Sequence, residues 1–257
     1  GAAMLARPRI ESVEVPYGDK TLPALFVHAA PEVAGNRPAP AMVFFDGFDI
    51  TKEIQYFKGV PDLVARGIAC LIVDGPGNGE SVRFRNLPLI AETEKYGTAA
   101  YEYLAGRKEI DPKRIGVMAI SLGGYYAPRA TAHEPRIKAC VALGGPYDFG
   151  VAWDGLPDLT REAFRVRAKK ATLEEAKAHA STLTLKDCAT KIKCPIYIMN
   201  GKLDRIVPWR DCEKLAREVQ GPVELLMIED GNHIANNRAY RWRSHSADWI
   251  AKQLKAG

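Results

Sequence analysis

Short, largely apolar runs alternate along this chain with longer stretches in which apolar residues recur every three or four positions. Residues 41–45 (Ala-Met-Val-Phe-Phe), 69–73 (Ala-Cys-Leu-Ile-Val), 115–120 and 137–143 are such runs, and 196–199 and 223–228 are two more. A strand without inside–outside alternation is one buried on both faces, as in a parallel sheet covered by helices on either side. Helical spacing fills the intervals at 52–66, 91–106 and 122–133, and helices are expected after 196–199 and 223–228. Near the start, 12–16 and 22–27 read as strands flanking the turn Tyr17-Gly18-Asp19-Lys20, and the Pro/Ala-rich stretch 31–40 reads as a surface loop. The alternation predicts an α/β fold, a mostly parallel central sheet with helices on both faces.

One interval breaks this rhythm. Between 145 and 191 no buried strand is legible, and 158–180 reads instead as polar, charged helix. An insertion of this size at a sheet edge is expected to form a small helical cap, residues 146–190, on a core made of residues 1–145 and 191–257. Its basic side chains Arg161, Arg165, Arg167, Lys169 and Lys170 are expected to form a solvated face, with selection of an acidic substrate as the alternative use.

Composition narrows the class. A length of 257 residues suits one large domain, and 47% hydrophobic with 26% charged residues excludes disordered, collagen-like and disulfide-scaffold chains. The net charge of +5 is spread without a dense Lys/Arg tract, so no nucleic-acid partner is expected. No run approaches the ~20 apolar residues that span a bilayer, and residues 1–8 lack a signal-peptide core, so no membrane association is expected. The five cysteines are scattered with no CxxC pair, which suits a reduced, cytoplasmic protein. The histidines lack metal-ligand spacing, and neither metal nor cofactor is expected. The Gly75-x-Gly77-x-Gly79 stretch has neither dinucleotide nor P-loop spacing, and no helix is expected to open immediately behind it. It reads as a tight turn under the active site, with Glu80 and Ser81 capping or tethering loops.

The candidate chemistry centres on Ala119-Ile120-Ser121-Leu122-Gly123, where a buried strand runs into a helix. Small residues two before and two after a serine allow strand and helix to meet in a strained turn that lifts the hydroxyl above the sheet. A serine that merely caps a helix is the plainer alternative, and the strand–turn–helix context argues against it. Partners of the required types follow in the required order: Asp204 after the strand at 196–199, and His233 after the strand at 223–228. Asp204 could instead be a turn residue, and Asp230 competes for the acid's place but lies close to His233 in sequence. His28, His133, His179 and His245 lack comparable context. The expected mechanism has His233 taking the Ser121 proton while Asp204 orients the imidazole. The Leu122 N–H, and the Phe48 N–H from the loop after the first buried strand, are the expected oxyanion donors.

The elbow and the spacing of acid and histidine resemble the α/β-hydrolase superfamily over nearly the whole chain. Three stretches narrow the resemblance: Asp46-Gly47-Phe48-Asp49-Ile50-Thr51-Lys52-Glu53, Asp74-Gly75-Pro76-Gly77-Asn78-Gly79-Glu80-Ser81, and the insertion's Leu159-Thr160-Arg161-Glu162 with Thr172-Leu173-Glu174-Glu175-Ala176. They are similar to the group that contains 2,6-dihydroxypseudooxynicotine hydrolase, fermentation–respiration-switch-like esterases and fungal polyketide-shortening hydrolases. The resemblance implies cleavage of esters or of C–C bonds next to ketones. It also implies that Asp49 occupies the place of an acidic residue assisting C–C cleavage, where the group's nicotine-pathway enzyme carries Glu; a helix-capping Asx turn is the alternative for Asp49. The group's N-terminal helical region does not precede the first predicted strand, which implies either a core fragment or loss of that region.

The sequence therefore points to a serine hydrolase acting through an acyl-enzyme on an ester or a β-diketone-like aryl ketone. A peptidase or thioesterase on the same triad, or a non-catalytic binding protein of the same fold, are the alternatives. The expected partner is a small-molecule substrate, and a homodimer is compatible with the sequence. Phe48, Tyr125, Trp153, Phe164 and Ile234 are candidate pocket residues as well as candidates for core packing.

Overall fold

The structure, a computed structural model, describes residues 9–35 and 37–255; the expectations for residues 1–8 and for Asn36 lie outside them. The chain opens with β1 (Ile10–Tyr17) and β2 (Lys20–Val27), a hairpin whose turn uses Gly18 at φ +60°. A short helix α1 (Pro31–Ala34) stands where a loop was expected, started by the proline at its first position. Strand β3 (Ala39–Phe45) follows. The helix expected over 52–66 is broken into α2 (Lys52–Gln55), a 3₁₀ turn (Tyr56–Lys58) and α3 (Val60–Val64). The break is at Gly59, whose φ of +138° lies outside the helical region, and Pro61 then opens α3.

Next come β4 (Ala69–Val73), α4 (Gly79–Phe84), α5 (Thr93–Ala105), β5 (Ile110–Ile120), α6 (Gly123–His133) and β6 (Cys140–Leu143). Helix α4 corrects an expectation: a helix does open from the Gly75–Gly79 turn. The run at 137–143 enters the sheet only at Cys140, because Ile137 belongs to a turn, its N–H donating to the Glu134 carbonyl.

Beyond β6 the insertion carries a 3₁₀ segment (Phe149–Gly155), α7 (Asp158–Arg167) and α8 (Leu173–Ala180). The single helical stretch read at 158–180 is thus two helices. Lys169 at φ +52° ends the first, and Thr172 caps the second by accepting the Glu175 N–H at 3.2 Å. The insertion is closed at its base by the Asp148–Thr184 bridge. The chain ends with β7 (Ile196–Gly201), α9 (Trp209–Glu218), β8 (Val223–Ile228), a 3₁₀ segment (His233–Arg241) and α10 (Arg243–Lys255).

The strands form one sheet in the order β1-β2-β4-β3-β5-β6-β7-β8, parallel from β4 through β8 and antiparallel at β1, β2 and β4. Alternate residues feed two cores. Ala41, Val43 and Phe45 face one side with Tyr96 and Tyr126, while Met42 and Phe44 face the other with Trp242 and Ile250. Register aligns the carboxyl ends: Phe45 lies beside Ala119, Ile120 beside Leu143, Leu143 beside Met199 and Gly201 beside Ile228. Loops leaving β3, β5, β7 and β8 therefore emerge along one rim, where open α/β sheets gather their chemistry.

One strand is less buried than its sequence suggests. β8 closes the sheet, so Val223 and Leu225 are 37% and 39% exposed, with only Ile228 fully buried. Among the described residues, no helix is long and apolar enough to cross a membrane, and no cluster of His, Cys, Asp or Glu could hold a metal ion. Truncating Phe44 in the sheet centre to Ala should cost about 3–5 kcal/mol in urea unfolding, while Leu225→Ala at the edge should cost under about 1 kcal/mol. Equal losses would show that β8 is covered in solution.

Candidate active site

Ser121 sits between β5 and α6 at φ +60°, a conformation that L-residues adopt only under constraint. The constraint is crowding by neighbouring backbone. A Cβ on Gly123 would meet the Asp46 carbonyl at 2.7 Å and the Ala119 side chain at 2.8 Å. A Cβ on Gly47 would meet the Ile120 carbonyl at 2.9 Å. The small residues flanking the serine thus let the loop after β3 lie against the elbow, and the Ser121 N–H is held by the Leu143 carbonyl at 2.7 Å.

The acid and the histidine meet through a second close approach. A Cβ on Gly201 would lie 2.2 Å from the Gly231 carbonyl, so the chains leaving β7 and β8 touch backbone to backbone. Leu203 N–H donates to the Gly231 carbonyl at 2.8 Å and fixes the crossing. His233 Nδ1 then lies 2.8 Å from Asp204 Oδ2, and His233 Nε2 lies 2.8 Å from Ser121 Oγ. The three side chains named from the sequence form one hydrogen-bonded row.

The other Asp204 oxygen accepts the N–H groups of Ile206 and Val207 at 2.8 and 3.0 Å. Burial pushes the Asp204 carboxyl upward, but the bond to His233, the charge of that histidine and the two N–H groups outweigh it, so the pKa falls below the ordinary value. The rival Asp230 is exposed and committed elsewhere, accepting from Arg238 at 2.7 Å. The remaining histidines are also occupied: His28 with Glu11, His133 with the Arg129 carbonyl, His179 with the Leu89 carbonyl and His245 with Tyr197.

Beside Ser121 lies a pocket of about 100 Å³ lined by Phe48, Asp49, Leu122, Pro146, Phe149, Leu156, Thr160, Ile206, Val207 and His233. Among the described residues neither the Phe48 N–H nor the Leu122 N–H has an acceptor. Of the aromatic and apolar candidates, only Phe48 lines this pocket. Tyr125, Trp153, Phe164 and Ile234 are buried in the packing, Tyr125 donating to the Ala91 carbonyl and Trp153 packing edge-on against Phe164. Sequence reasoning missed Pro146, Phe149, Leu156, Ile206 and Val207, which no motif marks, and Thr160, which it quoted only for the family resemblance.

Asp49 sits at the pocket rim, 76% exposed, with its carboxylate 3.7 Å from Arg167. Among the described residues it caps nothing: α2 starts at Lys52, and the residue before it is Thr51, whose hydroxyl bonds Glu53 instead. Arg167 corrects an expectation. Arg161 and Arg165 pair with Asp158 and Glu162 on the outside, but Arg167 turns inward, donates to the Phe48 carbonyl and covers the Phe48 ring at 4.4 Å.

A family model described as the prolyl oligopeptidase family matches residues 55–257. The 2,6-dihydropseudooxynicotine hydrolase of Paenarthrobacter nicotinovorans is 35% identical over 225 residues, covering 87% of this chain and 60% of the relative. A 20-hydroxy-prefusarin hydrolase of Gibberella moniliformis is 35% identical over 144 residues, 54% of this chain and 34% of the relative. The chain thus spans less than two thirds of the length of these curated relatives. The crystal structure of a 2,6-dihydroxy-pseudo-oxynicotine hydrolase superposes with a TM-score of 0.90 at 33% identity, covering 100% of this chain and 71% of that one.

Asp46, at the end of β3, offers a pH test of the rim. Burial lifts its carboxyl pKa to about 8, against the opposing bond from the Gly47 N–H at 2.5 Å, and its second oxygen has no partner among the described residues. The folded value lies above the unfolded value of about 3.9, so its contribution to stability is complete below that and is lost as pH rises through about 8. Asp46→Asn keeps an acceptor for Gly47 without the charge. Its thermal midpoint should gain steadily on the wild type between pH 5 and pH 8; a gap that stays constant with pH would contradict this.

Proposed function

The chain belongs to the prolyl oligopeptidase family of α/β-hydrolases, and from that premise we propose that it is a serine hydrolase of small carbonyl compounds, cleaving an ester or the C–C bond of a β-diketone-like aryl ketone. The observation that carries this reading is the Ser121–His233–Asp204 row beside two N–H groups without acceptors among the described residues. In the proposed reaction His233 Nε2 takes the proton as Ser121 Oγ attacks the carbonyl, and Asp204 stabilises the imidazolium. The N–H groups of Leu122 and Phe48 donate hydrogen bonds to the developing oxyanion.

Collapse of the tetrahedral adduct expels the leaving group. An ester loses an alkoxide, which takes the proton back from His233. A β-diketone breaks its C–C bond, the electron pair leaving as an enolate that must be protonated at carbon. In this reading Asp49 at the rim holds a water that gives its proton to the carbon while taking the one on His233, which leaves His233 neutral for the next step. A second water, deprotonated by His233, then hydrolyses the acyl-Ser121 bond.

We infer that the insertion, residues 146–190, acts as a cap, since Pro146, Phe149, Leu156 and Thr160 supply one wall of the pocket. At about 100 Å³ the pocket has the space of three or four waters at ~30 Å³ each, against roughly 300–1,000 Å³ for a whole drug-sized ligand. It suits the reacting acyl or aryl group, with the rest of the substrate outside. A peptidase on the same groups is the second reading, favoured by the family model that matches.

Ser121→Ala should lower hydrolysis of both a 4-nitrophenyl ester and an aryl β-diketone by at least about 10³-fold, with urea unfolding unchanged. Asp49→Asn should cut diketone cleavage by about tenfold or more and leave the ester within about twofold. Ester turnover without diketone turnover, and a silent Asp49→Asn, would make the protein an esterase.

A further inference from the structure

The turn at Gly75–Ser81 has no part in the chemistry above, yet it holds the loop that carries Phe48 at two points. Asn78 Nδ2 donates to the Gly47 carbonyl at 2.5 Å. Five residues on, the Lys52 N–H donates to Asp74 Oδ1 at 2.9 Å, and the buried Lys52 ammonium reaches the other Asp74 oxygen at 3.3 Å and Glu80. The turn is itself rigid. Asp74 Oδ2 accepts the Glu80 N–H at 2.9 Å, Ser81 Oγ donates to the Asp74 carbonyl at 2.5 Å, and Asn78 N–H donates to the Gly75 carbonyl at 2.9 Å. Gly79 adopts φ +41° with the Asp74 carboxylate folded over it, where a Cβ would lie 2.0 Å from an oxygen. Glycine alone fits there.

We propose that Asn78 is a positioning residue for the oxyanion site, fixing the Gly47–Phe48 peptide so that the Phe48 N–H faces the space beside Ser121. In a trans peptide the carbonyl and the following N–H point in opposite directions, so clamping one aims the other. Gly47 packs on the elbow, its Cβ position 3.6 Å from Ser121 Oγ, which makes Phe48 N–H the next donor along the chain. Asn78 is 2% exposed, so water does not readily take its place. Arg167 holds the following carbonyl, that of Phe48, from the insertion. The proposal rests on the reading of Phe48 N–H as an oxyanion donor.

The test compares wild type, Asn78→Ala and Asn78→Asp, each normalised to the fraction of sites titrated by a fluorophosphonate. Asn78→Asp keeps the side chain's shape if the alanine variant folds poorly. With a 4-nitrophenyl ester, kcat should fall about 10- to 100-fold with KM within about twofold. Affinity for an alkyl boronic acid, which forms a tetrahedral adduct on the serine, should fall by the same factor as kcat/KM. At each pH the Asn78→Asp deficit relative to wild type should shrink on acidification, because a protonated carboxyl regains a donor. Wild-type values of kcat and boronate affinity per titrated site, whatever the change in stability, would overturn the proposal. A wild type that reacts with the fluorophosphonate no faster than Ser121→Ala would instead overturn the serine-hydrolase reading beneath it.

Discussion

Backbone meets backbone at the carboxyl ends of the central strands, and the site exists because side chains are missing there. Gly123 lies against the Asp46 carbonyl, Gly47 against the Ile120 carbonyl, Gly124 against Gly145 and Gly201 against Gly231. Each contact would be a clash of 2.1–2.9 Å if a Cβ were added. Interiors are packed too tightly to absorb such overlaps cheaply. The contacts bring the loops leaving β3, β7 and β8 together around Ser121, with His233 bonded to it and Asp204 bonded to His233, and they force its backbone to φ +60°. The strain at the serine is offset by the packing of the sheet on both faces.

A second constraint is electrostatic. Lys52 is 2% exposed and Asp74 is fully buried, so each would be costly alone. They meet, and Glu53 and Glu80 complete the shell around the ammonium. Burial raises the Asp74 pKa, opposed by two backbone N–H groups and by Lys52. Breaking either partner strands a buried charge, which gives this pair the capacity to specify one arrangement of the loops it joins.

The insertion contributes through packing more than through charge. Phe164 is the centre of an aromatic group with Phe48, Phe149, Trp153 and His179. Through Phe48 that group reaches the loop beside Ser121, and Arg167 adds a polar tie at the same residue. The segment that walls the pocket is thereby coupled to the loop proposed to bind the oxyanion, so a change in one is felt by the other.

The sequence by itself determined the α/β-hydrolase fold, the place along the chain of nearly every strand, and the identities of Ser121, Asp204 and His233 as candidates. These are local properties. A run buried on both faces is largely apolar, and an elbow must be small-x-Ser-x-Gly, so each leaves a mark within a few residues. Tertiary structure decided what depends on distant partners. It made β8 an edge strand, because no local signal says which strand lies last. It turned Arg167 inward while Arg165, two residues earlier, stayed outside, because a helix's two faces differ only by what packs against them. It made Asn78 a brace for Gly47 across 31 residues of sequence, since a hydrogen bond to a backbone carbonyl leaves no trace in the residue that carries that carbonyl.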